Sequence, residues 1–338
     1  MDYARTTARL LAEEELPGLA ARARDHLDTF LVRHQACWLV SEPGGDVVVG
    51  RVAAESSLVF AERRRLPATA ADAPGGFVSP LPDGGLAVAG NGRVTVYDAD
   101  ARVRWTYEFE PWTDPNAGSP ACVTDGGGRH LLVTTTGPGM TDRPYPGDRC
   151  VVLDLSDGRT VTHTTLPSAS AGYIFQQSLT DPAQIFLDAL QGDTFYSRVL
   201  TLAGDTLRAE TVGDDEPLAG VSLGGALLQL DVGGEWLSRC AAGQDEVLVE
   251  AEDILPEGLC FVGHRPGFLD PNRVLVAVAE EADTEDNRHL ILDGHTLQPV
   301  AELDYPGITC ADPLALGDGT WLTTEEDVVR RWRVAGAE

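Results

Sequence analysis

The chain contains no lysine. Its 25 basic side chains are all arginine, set against 53 aspartates and glutamates, for a formal net charge of −28. Phosphate binding needs clustered cations, so this balance argues against nucleic acid as a partner. The missing lysine itself reads as genome composition, and the acidity as a solvated surface. Long apolar runs are missing as well: none approaches the roughly 18 residues that span a bilayer. The N-terminus lacks the basic, apolar, small-residue order of a secretory signal, so the expectation is a soluble cytoplasmic protein with no membrane partner. Cysteine pairs are absent too. Cys37, Cys122, Cys150, Cys240, Cys260 and Cys310 form no Cys-x-x-Cys motif and no zinc-ligand arrangement with histidine. In a large chain without a signal sequence they read as buried thiols, with no metal and no cofactor expected.

Glycine, by contrast, is abundant: 36 of 338 residues, about 11% against a usual 7%, as a turn-rich all-β chain requires. The glycines punctuate a recurring unit. Val94-Thr-Val-Tyr-Asp98, Val151-Val-Leu-Asp154 and His289-Leu-Ile-Leu-Asp293 each end a β-type run in aspartate. Short turns then lead into Val103-Arg-Trp-Thr-Tyr107, Val161-Thr-His-Thr-Thr165 and Pro299-Val-Ala-Glu-Leu303. These are hairpins by composition and alternation, two of them turning on Asp157-Gly158 and Asp293-Gly294. Upstream of each hairpin another strand pattern follows a turn signal, as in Gly84-Gly-Leu-Ala-Val-Ala-Gly90 and Asp270-Pro-Asn-Arg-Val-Leu-Val-Ala277. With Cys37-Trp-Leu-Val40 there are seven such units, their middle strands falling near residues 48, 95, 152, 199, 238, 291 and 330. The spacing averages about 47 residues, the length of a four-stranded propeller blade. Such a unit cannot bury its faces alone, so the repeats are expected to stack in a ring.

The first 35 residues depart from the pattern. Ala4 to Glu15 and Leu19 to Val32 have helical composition with apolar residues three and four apart, parted by Pro17-Gly18. They predict a helical N-terminal extension over 1–35 ahead of a repeat domain over 36–338, although Asp28 to Arg33 reads equally as a strand. The last unit, ending in Val328-Val-Arg-Arg-Trp-Arg-Val334, lacks an outer strand. An open edge invites aggregation, so the N-terminal segment is expected to close that unit or cover it.

Gly263-His264 precedes Leu292-Asp293 at a spacing that resembles the Gly-His to Trp-Asp step of WD40 repeats, although no Trp-Asp dipeptide occurs. Over about residues 36 to 334 the chain looks like a seven-bladed β-propeller of the WD40 and YVTN kind. The fold class expected is therefore all-β, a seven-bladed β-propeller with a short helical N-terminal extension. The resemblance implies a central channel and two loop faces, used as a platform for protein partners and in some members for ligands or catalysis; fold alone does not choose among these.

Long loops on a rigid scaffold are where binding concentrates. Residues 137–148 and 280–287 exceed what a hairpin needs, and the interblade segment Glu110-Pro-Trp-Thr-Asp-Pro-Asn116 is expected beside the first of them. Trp112, Asp114, Met140, Arg143 and Tyr145 form the candidate contact surface, with Trp112 and Tyr145 alternatively packing their own loops. The acidic loop 280–287 lacks the alternating order of a calcium loop and reads as solvated. Tyr173, Gln177, His264 and Arg265 would line the channel mouth and take a small polar ligand. A bonding role between blades is the alternative for the last two. Gly220-Val-Ser222-Leu-Gly224 matches a nucleophile elbow, but a strand pattern follows where a helix is required. Two functions stand: a noncatalytic platform for a protein partner or polar ligand, or a hydrolase, lactonase or lyase acting at the channel mouth.

Overall fold

The computed structural model describes residues 3–15, 30–32, 36–41, 47–53, 59–60, 62–66, 77–113, 120–139, 146–177, 181, 183–191, 194–212, 217–222, 224–231, 233–280, 287–306, 313–325 and 327–336. Within them the regular secondary structure is almost wholly strand. β1 (Arg5–Glu15) comes first. β2 (Phe30–Val32), β3 (Ala36–Ser41), β4 (Val47–Ala53) and β5 (Glu62–Leu66) make the first four-stranded sheet. The second holds β6 (Phe77–Pro80), β7 (Leu86–Gly90), β8 (Arg93–Tyr97) and β9 (Val103–Glu108). The third holds β10 (Cys122–Thr124), β11 (His130–Thr135), β12 (Arg149–Asp154) and β13 (Thr160–Thr165). In the fourth are β14 (Gly172–Gln177), β15 (Gln184–Gln191), β16 (Thr194–Ala203) and β17 (Thr206–Thr211). The fifth contains β18 (Leu218–Val221), β19 (Leu227–Leu230), β20 (Trp236–Cys240) and β21 (Val247–Glu250), followed by the single turn α1 (Ala251–Ile254).

The remaining strands join an eight-stranded sheet. β22 (Leu259–Asp270), β23 (Arg273–Glu280), β24 (Arg288–Asp293) and β25 (Pro299–Asp304) run in sequence order, and β1, β28 (Val328–Val334), β27 (Thr320–Glu325) and β26 (Leu314–Ala315) continue the sheet. Among the described residues, ladder pairing joins the two halves only where Arg5 to Thr7 of β1 run parallel to Glu302 to Asp304. Beyond Thr7 the same strand turns to β28, pairing antiparallel from Ala8 opposite Val334 to Glu15 opposite Val328.

This corrects the helix expected over residues 4–15. Ala- and Glu-rich composition favours helix locally, but the open edge of β28 supplies a continuous ladder of backbone partners, and Ala8 is buried in the seam. Arg330 of β28 reaches Glu13 at 2.6 Å and Glu325 of β27 at 2.6 Å, fixing the register. The N-terminal segment thus covers the edge that the sequence leaves open.

The aspartates that end so many third strands cap the turn that follows. Oδ1 of Asp154 accepts the amide and hydroxyl of Ser156, and Oδ1 of Asp293 accepts the amides of His295 and Thr296. Hydrogen bonding from the Ser156 hydroxyl holds the Asp154 carboxyl below its ordinary range, and the Thr296 amide does the same for Asp293. Apolar side chains fill the spaces between neighbouring sheets, as where Val94 and Val96 of the second meet Leu131 and Leu153 of the third. Cys122, Cys150, Cys240 and Cys260 form no disulfide. Burial pushes Cys122 up to about 12 and raises Cys150 as well, so both are inert. Cys310, and the side chain of Cys37, lie outside the described residues.

First strands of successive sheets touch one another: β6 with β10, β10 with β14, β18 with β22 and β22 with β26. β2 also touches β14. The first strands therefore face inward and the hairpin turns outward.

Candidate functional site

One buried carboxylate gathers the connections at one end of the third and fourth sheets. Asp148 ends the long 137–148 loop just before β12 and is fully buried. Its Oδ2 accepts the Tyr173 hydroxyl at 2.6 Å, the Trp112 indole N–H at 3.4 Å and the Ala171 amide at 3.4 Å. Ser168 Oγ lies 2.9 Å from the same tyrosine hydroxyl. The Asp148 backbone is tied as well, its amide giving to Ser168 O and its carbonyl taking the Leu166 amide, both at 2.8 Å. Gly147 makes this approach possible: its φ is +109°, and a Cβ there would sit 2.3 Å from the Leu166 carbonyl. Trp112 is held in turn by Asn91, which accepts its amide at 2.7 Å and donates to its carbonyl at 3.1 Å. Phe109 packs edge-on at 5.8 Å.

Two of the residues singled out by sequence, Trp112 and Tyr173, thus meet on Asp148. Both are almost completely buried, Trp112 at 2% and Tyr173 at 1% exposure. They secure the root of the loop and do not present a surface to a partner. Asp114, Met140, Arg143 and Tyr145 lie outside the described residues. Gln177 does not join Tyr173. It is buried at the far end of β14, where its Nε2 donates to Thr124 O and lies 3.4 Å from Thr124 Oγ1, linking the first strands of two sheets.

His264 and Arg265 fall in a break of the β22 ladder. Val262 pairs with Ala277 and Gly267 with Leu275, so residues 263–266 stand opposite Val276 alone. Nothing is described of the His264 and Arg265 side chains. The backbone there is crowded: a Cβ on Gly220 of β18 would lie 2.9 Å from Pro266 O, and one on Gly267 would lie 2.9 Å from Ala315 Cβ of β26. The Gly-x-Ser-x-Gly match resolves into a turn between β18 and β19, with Ser222 Oγ accepting the amides of Gly224 at 3.2 Å and Ala226 at 2.8 Å. Strand follows strand there, so the serine caps a turn and is not a nucleophile elbow.

Sequence reasoning missed Asp148 and Asp188. The first ends the Pro146-Gly147-Asp148 step ahead of a strand, a recognisable turn signal. The second interrupts the apolar run Ile185-Phe-Leu-Asp-Ala-Leu190. Asp188 is buried between the fourth and fifth sheets, where Oδ1 accepts Ser197 Oγ at 2.5 Å and the Leu218 amide at 3.3 Å. Loss of hydration pushes its carboxyl up to about 7 despite those two donors.

No helix among the described residues is long and apolar enough to cross a membrane. No family model matches the sequence, and no curated protein does. Solved structures do match in shape. BBS1N, solved in complex with ARL6, is 10% identical, with 99% of each chain covered and a TM-score of 0.56. The WD40 domain of Neurospora crassa Pan2 is 12% identical, covering 100% of this chain and 98% of its own, with a TM-score of 0.52. A streptogramin B lyase is 12% identical, covering 95% and 97%, with a TM-score of 0.53. Likeness at such identities speaks to architecture alone, and the architecture is that of a β-propeller with divergent repeats.

Proposed function

We propose that the chain is a noncatalytic propeller that binds a protein partner through the loop end of its third and fourth sheets. The observation that carries this reading is Asp148, whose carboxylate ties the root of the 137–148 loop to the connections on either side. A loop anchored so firmly pays less entropy on binding than a free one. Met140, Arg143 and Tyr145 on that loop, with Asp114 beside Trp112, are the proposed contacts. BBS1N, of similar shape, was solved with a protein partner. The ring counts seven blades if the eight-stranded sheet is divided between β25 and β1, where the ladder is three residue pairs long. Four cysteines outside any disulfide fit a reducing, cytoplasmic setting.

The test is capture of partners from the native host with the wild-type chain and with Arg143→Ala plus Tyr145→Ala. The variant should recover at least about tenfold less of the specific partner while melting at the wild-type temperature. Equal recovery rules the loop out.

A second reading is favoured by the break at 263–266, since bulges in strands often re-aim a side chain at a site. His264 and Arg265 would then take a small polar ligand or, with a carboxylate, act as a hydrolase, lactonase or lyase. Turnover of ester, lactone or lyase substrates that disappears in His264→Ala would favour this over the platform.

A further inference from the structure

We infer that the junction of the fourth and fifth sheets is a docking point for a basic segment of a protein partner, which seats an apolar side chain on Ile174 and Leu190 and brings a cation to Asp188. The inference rests on the platform reading, and gives that platform a specificity determinant on the fourth sheet, whose other side holds the loop root.

Among the described residues, six large apolar side chains are well exposed. Leu10, Val103, Leu248 and Val300 sit singly on the four separate strands β1, β9, β21 and β25, and isolated exposed apolars are ordinary. Ile174 and Leu190, 38% and 42% exposed, are different because they are neighbours. Leu190 stands opposite Gly172 on one side and Phe195 on the other, while Ile174 stands opposite Asp188, which in turn faces Ser197. Directly opposed residues share a side of the sheet, and so do residues two apart. Ile174, Asp188, Leu190, Phe195 and Ser197 therefore share one side. Tyr173, Ala189 and Tyr196 occupy the other and pack in the core shared with the third sheet.

The side bearing Ile174 and Leu190 is turned to the fifth sheet, because Asp188 Oδ1 accepts the Leu218 amide and Gln176 Nε2 gives to Leu218 O at 2.7 Å. The root of the long loop is held from the opposite side of the same sheet, where Tyr173 bonds Asp148 and Gln191 accepts the Ala169 amide at 2.9 Å. The junction thus sets two exposed apolar side chains beside a buried carboxyl. Both hydrogen bonds to Asp188 go to Oδ1, and Oδ2 has no hydrogen-bond partner among the described residues. Once the carboxyl is ionised, above about pH 7, a guanidinium or ammonium would supply the missing donor. The formal charge of −28 selects the sign of the partner, steering basic segments toward the chain and repelling acidic ones.

The experiment uses two synthetic peptides, acetyl-Leu-Arg-Arg-Leu-amide and acetyl-Leu-Glu-Glu-Leu-amide, titrated calorimetrically into the full chain at low salt and about pH 8, where the Asp188 carboxyl is ionised. The basic peptide should bind and the acidic one should not. Ile174→Thr with Leu190→Thr should weaken the basic peptide at least about tenfold, and Asp188→Asn by a similar factor. Equal binding by the wild type and the Ile174/Leu190 variant would place the peptide on the general acidic surface and overturn the proposal, as would no binding to the wild type. Leu190→Thr alone, at an exposed site, keeps the test decisive if Asp188→Asn fails to fold. In the capture assay, a partner lost with Arg143→Ala plus Tyr145→Ala but retained with the Ile174/Leu190 variant would overturn the junction and leave the platform standing. Loss with the Ile174/Leu190 variant alone would support the junction and remove the loop.

Discussion

Arg331 and Asp318 meet at 2.8 Å with the arginine side chain sealed from solvent and the aspartate almost so. Thr320 Oγ1 lies 3.2 Å from the arginine Nε and 2.5 Å from Asp318 Oδ1, so the charges sit in a bonded network inside the sheet that β1 completes. Breaking one partner of such a pair strands the other charge, which costs about 3–5 kcal/mol. Asp318→Asn should therefore shift the urea midpoint strongly downward. Asp318→Leu with Arg331→Met should recover most of the loss, because no charge is left uncompensated. A double variant as weak as the single one would contradict this account.

Two glycines with similar backbones separate strain from contact. Gly204 has φ +60° and nothing within 4 Å of where a Cβ would stand, whereas Gly158 has φ +74° and the Trp105 indole at 2.7 Å. Gly204→Ala should cost about 1 kcal/mol, the left-handed penalty alone. Gly158→Ala should cost at least about twice that, because Trp105 must move and its indole N–H is bonded to Leu155 O at 3.0 Å across the sheet boundary. Chemical denaturation of the two variants side by side measures the difference, and equal losses would mean that Trp105 yields freely.

The repeat was legible because strand alternation and turn chemistry are local. Residues 48, 95, 152, 199, 238, 291 and 330, placed from spacing, fall in β4, β8, β12, β16, β20, β24 and β28. The strand-ending aspartates were legible for the same reason, since Asp154 and Asp293 bond within three residues of themselves. β1 was not, because its partners lie over 300 positions away and its own composition points to helix. The same distance in sequence hid the site. Trp112 and Tyr173 stood out individually as aromatics, yet their meeting point on Asp148 joins three segments that no short-range pattern connects.

Asp188 makes stability depend on pH with a sign opposite to that of most acids. Its folded carboxyl titrates at about 7, while an unfolded aspartate titrates near the ordinary value of about 3.9. The native state therefore holds a proton that the unfolded state has released, and stability is lost as pH rises from about 4 to about 7. The full difference corresponds to at most about 4 kcal/mol. Asp188→Asn removes the titration, so relative to the wild type the variant should gain between pH 4.5 and pH 8. Asp154 and Asp293, held low by their turns, contribute equally to both proteins and cancel in the comparison. Denaturation curves at the two pH values decide it: parallel behaviour of the two proteins would mean that Asp188 is already charged at pH 4.5.

Removing residues 1–15 tests whether β1 is a closing strand or a passive cover. The deletion strips the ladder from Ala8 to Glu15, exposes the N–H and C=O row of β28, and takes Glu13 from Arg330. It also uncovers the seam in which Ala8 packs with Trp321, Trp332 and Leu303. A strand edge opened beside buried tryptophans is a template for association. The truncated chain should lose its single cooperative transition and associate on gel filtration. A synthetic peptide of residues 3–15 added in trans should restore the monomer, because the lost interactions are backbone pairing with a defined register. An unchanged melting curve after truncation would show that β28 does not need its partner. Association that the peptide fails to reverse would assign the defect to something other than the missing strand.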